Sequence, residues 1–355
     1  MNASRCAAAL SLVMSMAAWP QHAAAGEDAC LQGLLFSIEN DYLGRGRFNT
    51  DRWYTNGLHA AWSYRRDEAC TGPGTRAARA LGNVVTPLGG DLPDAPDIYF
   101  GFGQNIYTPQ DITIAEPQPD DRPWAGYLYG VVGSAAERGG GRHEAVELKL
   151  GLVGPASQAA GLQRWFHDKV IHDDEPRGWP NQLRPRLAAQ LNYTFTQRWT
   201  DIGLLPDWAG VHGHLRASLG RPRTLAALGL TLVAGEKERV FGAPDEGDHL
   251  GLDFREHANH LPGLLHRLTV YAQAQVAGVA YNQFISGTSF GPQSEVKPRR
   301  AVVMTTLGFS WRTGGTSRLE YRVKWRSRDF EPPADAPTDR VQRYGELRWV
   351  VDTSR

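Results

Sequence analysis

Thiol chemistry has little to work with here, because 355 residues contain only three cysteines and four methionines. Cys6 lies in the first apolar stretch, and neither Cys30 nor Cys70 has the neighbours that activate a catalytic thiol. An oxidising compartment would let those two pair, and the sequence equally allows them to stay reduced. An excess of charge of one sign is also missing: 38 Lys and Arg face 38 Asp and Glu. No polybasic tail or charge block points to a nucleic-acid partner, and none is expected. Neither Gly-x-Ser-x-Gly nor His-Glu-x-x-His occurs, so a serine elbow and a zincin site are both unsupported.

Long apolar runs are absent as well, except at the start. Arg5 precedes an apolar run from Cys6 to Trp19, which Pro20 breaks and Ala23-Ala24-Ala25 follows. The run is shorter than the roughly 20 residues of a spanning helix. It reads as a secretory signal peptide over 1–25, leaving a single domain over 26–355. Its removal takes Arg5, so 37 basic residues then face 38 acidic ones.

What the chain does have is alternation. Leu187, Ala189, Leu191, Tyr193 and Phe195 share one parity against Gln190, Asn192, Thr194, Thr196 and Arg198. Leu319, Tyr321, Val323 and Trp325 do the same against Arg318, Glu320, Arg322, Lys324 and Arg326. Such segments recur about twelve times between residues 31 and 351, many near the ten residues of a tilted bilayer-crossing strand and with Trp and Tyr near their ends. This predicts an all-β fold, an antiparallel transmembrane barrel of about twelve strands. The competing reading is a secreted sandwich whose polar face meets water. The stretches 66–96 and 237–265 are long, whereas 221–222 and 314–315 are tight turns, so long loops are expected at one end and short turns at the other.

One segment breaks the rhythm. From Ser157 to Ile171 the apolar residues recur at helical spacing, which predicts a short helix with Gln163 and His167 on one face. An acidic cluster, Asp173-Asp174-Glu175, follows.

Chemistry concentrates around the first hairpin, Phe36 to Gly57. Asn40, Asp41, Thr55 and Asn56 gather carboxylate, amide and hydroxyl oxygens at one rim, the ligand set a hard cation such as calcium prefers, although Asn, Asp and Thr are also ordinary turn formers. Among 11 histidines, His167 is the best candidate general base. With no nucleophile motif, direct attack by water is easier to support than an acyl-enzyme: a calcium near Asp41 would polarise an ester carbonyl while His167 deprotonates water. His257 and His260 could bind a metal, but their polar loop favours a solvated role.

Ile38-Glu39-Asn40-Asp41, Asp51 to Gly57, Gly103 to Pro109, Asp121 to Gly126, Gly151 to Pro155, Gln163 with His167, and Gly178 to Gln182 fall in one order. Together they resemble the outer-membrane lipid A 3'-O-deacylase (LpxR-like) family over nearly the whole chain. The resemblance implies a twelve-stranded barrel in the Gram-negative outer membrane that uses calcium to remove the 3'-linked acyloxyacyl group from lipid A, with lipopolysaccharide as its partner. By position, Asn40, Asp41 and Thr55 match active-site residues of the family and His167 its catalytic histidine. Asp41 and Asn40 would hold the metal, joined by one of Asp173, Asp174 and Glu175, among which the spacing does not choose, with Asp173 or Asp174 favoured. The chain is expected to act as a monomer. Gln110 to Ala115 replace basic residues that some relatives carry, so phosphate recognition would fall to Arg45, Arg47 or Arg52, which otherwise read as solvated loop residues. An outer-membrane phospholipase with a paired Ser and His, and a passive channel, are the alternatives.

Overall fold

The structure is a computed structural model that describes residues 31–45, 52–64, 76, 80, 97–172, 174–200, 203, 205–241, 245–246, 263–286, 295–314, 316–331 and 341–353. The leader, Cys30, Cys70, Arg47, Asp173, His257 and His260 lie outside these residues.

Twelve long strands close into one barrel: β1 (Leu31–Asn40), β2 (Trp53–Tyr64), β3 (Asp97–Thr108), β4 (Ala125–Glu137), β5 (Arg142–Val153), β6 (Arg186–Trp199), β7 (Ala209–Gly220), β8 (Arg223–Ala234), β9 (Leu268–Asn282), β11 (Ala301–Gly314), β12 (Ser317–Ser327) and β14 (Val341–Asp352). Each pairs antiparallel with the next, and β1 returns to β14, Gly33 opposite Asp352 and Asn40 opposite Gly345. A two-residue ribbon, β10 (Lys297–Pro298) with β13 (Phe330–Glu331), lies outside the ladder.

The alternation decides what faces inward, and it is inverted relative to a water-soluble protein. Leu187, Leu219 and Leu228 are 79, 66 and 61% exposed, whereas Asn192, Thr194, Glu320, Lys324 and Glu346 are fully buried. Burying these charged groups requires partners: Lys324 Nζ lies 2.5 Å from Glu39 and 2.9 Å from Glu346, and Glu320 pairs with Arg239, Arg318 and Arg322. A sandwich would bury the leucines and wet the charges. A barrel with an apolar exterior and an ionic interior is built for a lipid surround.

The expected segregation of loops does not hold. Antiparallel order places 66–96, 237–265 and the 314–315 turn at one end, with the chain termini. The 221–222 turn shares the other end with the long connections 109–124 and 154–185. Loop length alone carries no strand direction, and it is strand direction that assigns each connection to an end.

One connection enters the lumen. Leaving β8 at the end that carries the termini, it sets Glu236 N on Thr269 Oγ1 (3.0 Å), packs Phe241 on Tyr271 and His212, and places the Asp245 carbonyl on Lys324 Nζ (2.8 Å). Asp245 then meets Arg216 (2.5 Å) and Arg223 (3.4 Å), while Glu246 meets Arg223, Arg326 and Tyr107 at the far rim. The contacts climb the barrel interior from one end to the other, so this segment plugs it.

Candidate active site

Asn40 ends β1, and the turn into helix α1 (Asp41–Arg45) follows at once. Asn40 Oδ1 and Asp41 Oδ1 each accept the Tyr42 N–H at 2.8 Å, and Asp41 Oδ2 accepts the Arg52 N–H at 3.0 Å. These bonds close the hairpin mouth and fix the buried Asp41 carboxylate.

Opposite, β2 starts irregularly. Trp53 has φ +63°, a left-handed conformation that costs about 1–3 kcal/mol in a bulky residue. Its surroundings hold it there: the Arg52 and Arg328 guanidinium groups lie 4.8 and 4.9 Å from its ring, and Phe330 packs edge-on at 5.5 Å. Arg52 is therefore buried on an aromatic face and donates to Val341 O (3.3 Å), contrary to its reading as a solvated loop residue. The register of β2 against β3 then slips between Tyr54 and Asn56, leaving Thr55 as a bulge. Thr55 Oγ1 shares a hydrogen bond with Thr108 Oγ1 at 2.8 Å. Beyond the bulge, Asn56 lies opposite both Asn40 and Ile106, one row across three strands.

Above this row sits helix α2 (Ala159–Phe166), continued by a wider turn over His167–Ile171. The predicted helix thus spans the expected segment in two pieces. Three of the ordered motifs build its seat. Trp124 and Trp179 pack at 5.0 Å, joined by Ile106, Ile112 and Ala159. Trp179 Nε1 donates to Gln163 Oε1 (2.8 Å), Gly154 N to Gly126 O (2.9 Å) and Leu183 N to Trp124 O (2.8 Å). A Cβ on Gly178 would meet Trp124 Nε1 at 2.3 Å, and one on Gly126 would meet Ser157 Oγ at 2.0 Å, so both positions need glycine.

A cavity of about 40 Å³ lies between wall and helix. Ile38, Asn40, Thr55, Asn56, Leu58 and Ile106 form the wall side; Leu162, Gln163, Trp165, Phe166 and His167 form the other. Ile38 and Leu58 have outward parity, so the cavity lies on the apolar exterior and not in the lumen. Of the sequence-predicted residues, Asn40, Thr55 and His167 meet here, and Asp41 flanks them.

His167 is buried, and its Nδ1 lies 2.6 Å from Asp174 O. A carbonyl only accepts, so Nδ1 carries the hydrogen and Nε2 keeps a lone pair, the tautomer a general base needs. Asp174 thus contributes its backbone, while its side chain is exposed; Glu175 is exposed and pairs with Arg177 at 3.6 Å. Among the described residues no group of three or more His, Cys, Asp or Glu gathers as a metal cluster. The oxygens at hand are those of Asn40, Thr55 and Asn56 with the neighbouring Asp41 carboxylate. This donor set fits a hard cation.

Sequence reasoning missed one constellation. Ser37 Oγ lies 3.0 Å from His59 Nδ1, and His59 Nε2 lies 2.9 Å from Asn105 Oδ1, a Ser-His-Asn chain. The pairing follows from register, since Ser37 and His59 face each other on β1 and β2, and no local motif announces it. All three are buried with inward parity, across the wall from the cavity.

The family model described as Outer membrane protein LpxR matches residues 7–352. LpxR from Salmonella typhimurium is similar in structure, with a TM-score of 0.66 and 16% identity over 90% of this chain and 99% of that one. Weaker likenesses reach the β domain of the Bordetella autotransporter BrkA (TM-score 0.43, 9% identity, 92 and 100% coverage) and the KdgM porin (0.36, 7%, 90 and 96%). No curated protein sequence matches the chain.

Proposed function

Since the chain belongs to the LpxR family of outer membrane proteins, we propose that it is a lipid A 3'-O-deacylase, an esterase that removes the 3'-linked acyloxyacyl group of lipopolysaccharide. The observation that carries this reading is the cavity's position: His167, Asn40, Thr55 and Asn56 line a space on the apolar exterior, beneath a helix, where a membrane lipid can enter from the side. Ile38, Leu58, Ile106 and Phe166 offer an acyl chain an apolar path to those polar groups.

His167 takes a proton from water through Nε2 while Asp174 O holds its ring through Nδ1. The cofactor in this proposal is calcium, with Asp41, Asn40 and the Asp173-Asp174 segment as the residues that would hold it, and when bound it would supply Lewis-acid stabilisation of the developing oxyanion. Thr55, fixed by Thr108, orients the polar row.

The alternatives lose support on specific grounds. The Ser37-His59 pair that a phospholipase would use faces the lumen. A passive channel needs an open lumen, whereas Asp245 and Glu246 are clamped inside it. The test is mass spectrometry of lipid A incubated with the detergent-solubilised protein, with calcium and with chelator. Calcium-dependent loss of the 3'-linked acyloxyacyl group supports the reading. Folded protein that releases nothing in either condition rejects it.

A further inference from the structure

One row of the apolar exterior carries a polar side chain. Ile38, Leu58, Gln104, Leu128, Leu152 and Leu187 lie opposite one another in turn across β1 to β6. Five of them are apolar, as a lipid-facing wall requires. Gln104 shares the parity of Ile106 and of Phe102, which is exposed, so its amide also leaves the wall outward. An amide set against hydrocarbon is costly unless it is hydrogen-bonded.

Part of its bonding capacity is used. Gln104 Nε2 donates to Ser157 O at 2.6 Å, its one hydrogen bond among the described residues. Ser157 stands in the turn ahead of helix α2, is fully buried, and donates from its own Oγ to Gly154 O at 2.6 Å, so the anchor is itself fixed. A side-chain amide has two N–H donors and an acceptor oxygen. The second Nε2 hydrogen is therefore more than holding Ser157 requires.

Position decides what that hydrogen can meet. Gln104 adjoins two residues that line the cavity, Leu58 across the ladder and Ile106 two places along β3. Because β3 runs toward the site end, Gln104 lies about 6–7 Å farther down the wall than the row of Asn40, Asn56 and Ile106. In an acyloxyacyl ester the branch leaves from carbon 3 of the chain. Five bonds of about 1.2–1.5 Å then separate the scissile carbonyl carbon from the branch carbonyl oxygen, a span of up to about 6 Å. A chain whose scissile ester sits in the cavity and whose tail descends this wall brings its branch ester to Gln104.

We infer that Gln104 is a specificity residue for the acyl group: its second Nε2 hydrogen is donated to the carbonyl oxygen of the acyloxy branch. The inference rests on the esterase reading and adds to it the residue that reads the branch. An ester offers acceptors only, so it takes a hydrogen and gives none. The bond to Ser157 holds the amide in place before substrate arrives, which lowers the ordering cost of the new contact. Leucine here would match the rest of the row and would recognise no oxygen.

The experiment compares two synthetic lipid A analogues that differ only at carbon 3 of the 3'-linked chain. One carries the acyloxy branch and the other an alkyl branch of equal length, which keeps the bulk and removes the oxygens. Acyl release is measured at saturating calcium for the wild type, Gln104→Leu and Gln104→Met, each checked for its folded barrel by heat-modifiable migration in SDS gels. Wild-type kcat/KM is expected to favour the acyloxy analogue by at least about threefold, the size of one hydrogen bond. In Gln104→Leu and Gln104→Met the two analogues are expected to fall within about 1.5-fold of each other. A residue that only anchors Ser157 would slow both analogues by the same factor and leave the ratio unchanged, and that result overturns the inference. Equal wild-type kcat/KM on the two analogues overturns it without reference to any variant, and leaves the esterase reading standing. Wild-type protein that cleaves neither analogue removes the esterase reading, and this inference with it.

Discussion

Tyr107 donates its phenolic hydrogen to Glu246 Oε2 at 2.8 Å, joining the inner end of the plug to the strand whose next residue, Thr108, holds Thr55. Glu246 also pairs with Arg223 and Arg326, so this one carboxylate offsets two buried guanidinium groups. Glu246→Ala leaves both arginines without it, a loss of about 3–5 kcal/mol for a broken buried pair. The folded barrel is expected to convert to its heat-denatured form at lower temperature. The double substitution Asp245→Ala/Glu246→Ala is expected to admit ions through a lumen the wild type keeps closed. Single-channel recordings in planar bilayers check this, and identical conductance in both proteins would show that the plug does not seal the barrel.

His167→Ala removes the proposed base while leaving the twelve-stranded ladder untouched. General-base contributions run to about 10²–10⁴-fold, so kcat for acyl release should fall by that range with the melting behaviour of the barrel unchanged. A variant that keeps more than a tenth of wild-type turnover would place the base elsewhere.

Strand number and positions were legible in the sequence because alternation has period two and each face of a barrel strand meets one environment: Leu187 and Leu319 read as apolar, Asn192 and Glu320 as polar, wherever the barrel axis points. Which face is inside was not written there; the ion pairs Lys324–Glu39 and Lys324–Glu346 settle it by joining residues 285 and 22 apart. Asn40, Thr55 and His167 were found as short motifs, but their meeting depends on helix α2 folding back over the wall. Asn56 reads as one oxygen among several, since the row it forms with Asn40 and Ile106 is set by strand register and leaves no compositional mark. The plug was hidden for a related reason: Asp245 and Glu246 sit in a Pro- and Gly-bearing stretch that reads as a surface loop.

The seat of helix α2 predicts an indirect effect. Gly178→Ala puts a methyl at 2.3 Å from Trp124 Nε1, which Trp124 can relieve only by moving against Trp179. Trp179 holds Gln163, four residues from His167 on the same helical face. Overpacking costs about 1–3 kcal/mol, and here the strain falls on the helix seat. Acyl release should therefore drop about tenfold or more while the β-sheet circular dichroism of the barrel stays constant. Equal activity in Gly178→Ala would show that the helix position tolerates the shift.

The rim also carries a pH signature at Asp329, between β12 and β13 and outside the spanning strands. Burial alone would raise its carboxyl, but Arg122, Arg326 and Arg223 outweigh burial and hold it below the ordinary aspartate value. Arg122 and Arg326 lie 3.7 and 3.6 Å from Asp329 Oδ2. Arg122 itself is pushed down to about 10 by burial, with Asp329 opposing that fall and Arg326 reinforcing it. A carboxyl whose folded pKa is depressed adds stability above its unfolded value of about 3.9. That contribution drains away as pH falls through the lower folded value. Thermal stability should therefore decline as pH is taken from 5 to 3, with a shallower decline in Asp329→Asn. The same variant should be less stable at pH 7, because Arg122, fully buried above the Tyr107 ring at 4.6 Å, loses its counter-charge. Melting curves of both proteins at pH 3, 5 and 7 check the sign. A variant whose pH dependence matches wild type would mean that Asp329 is not charged differently in the folded and unfolded chains.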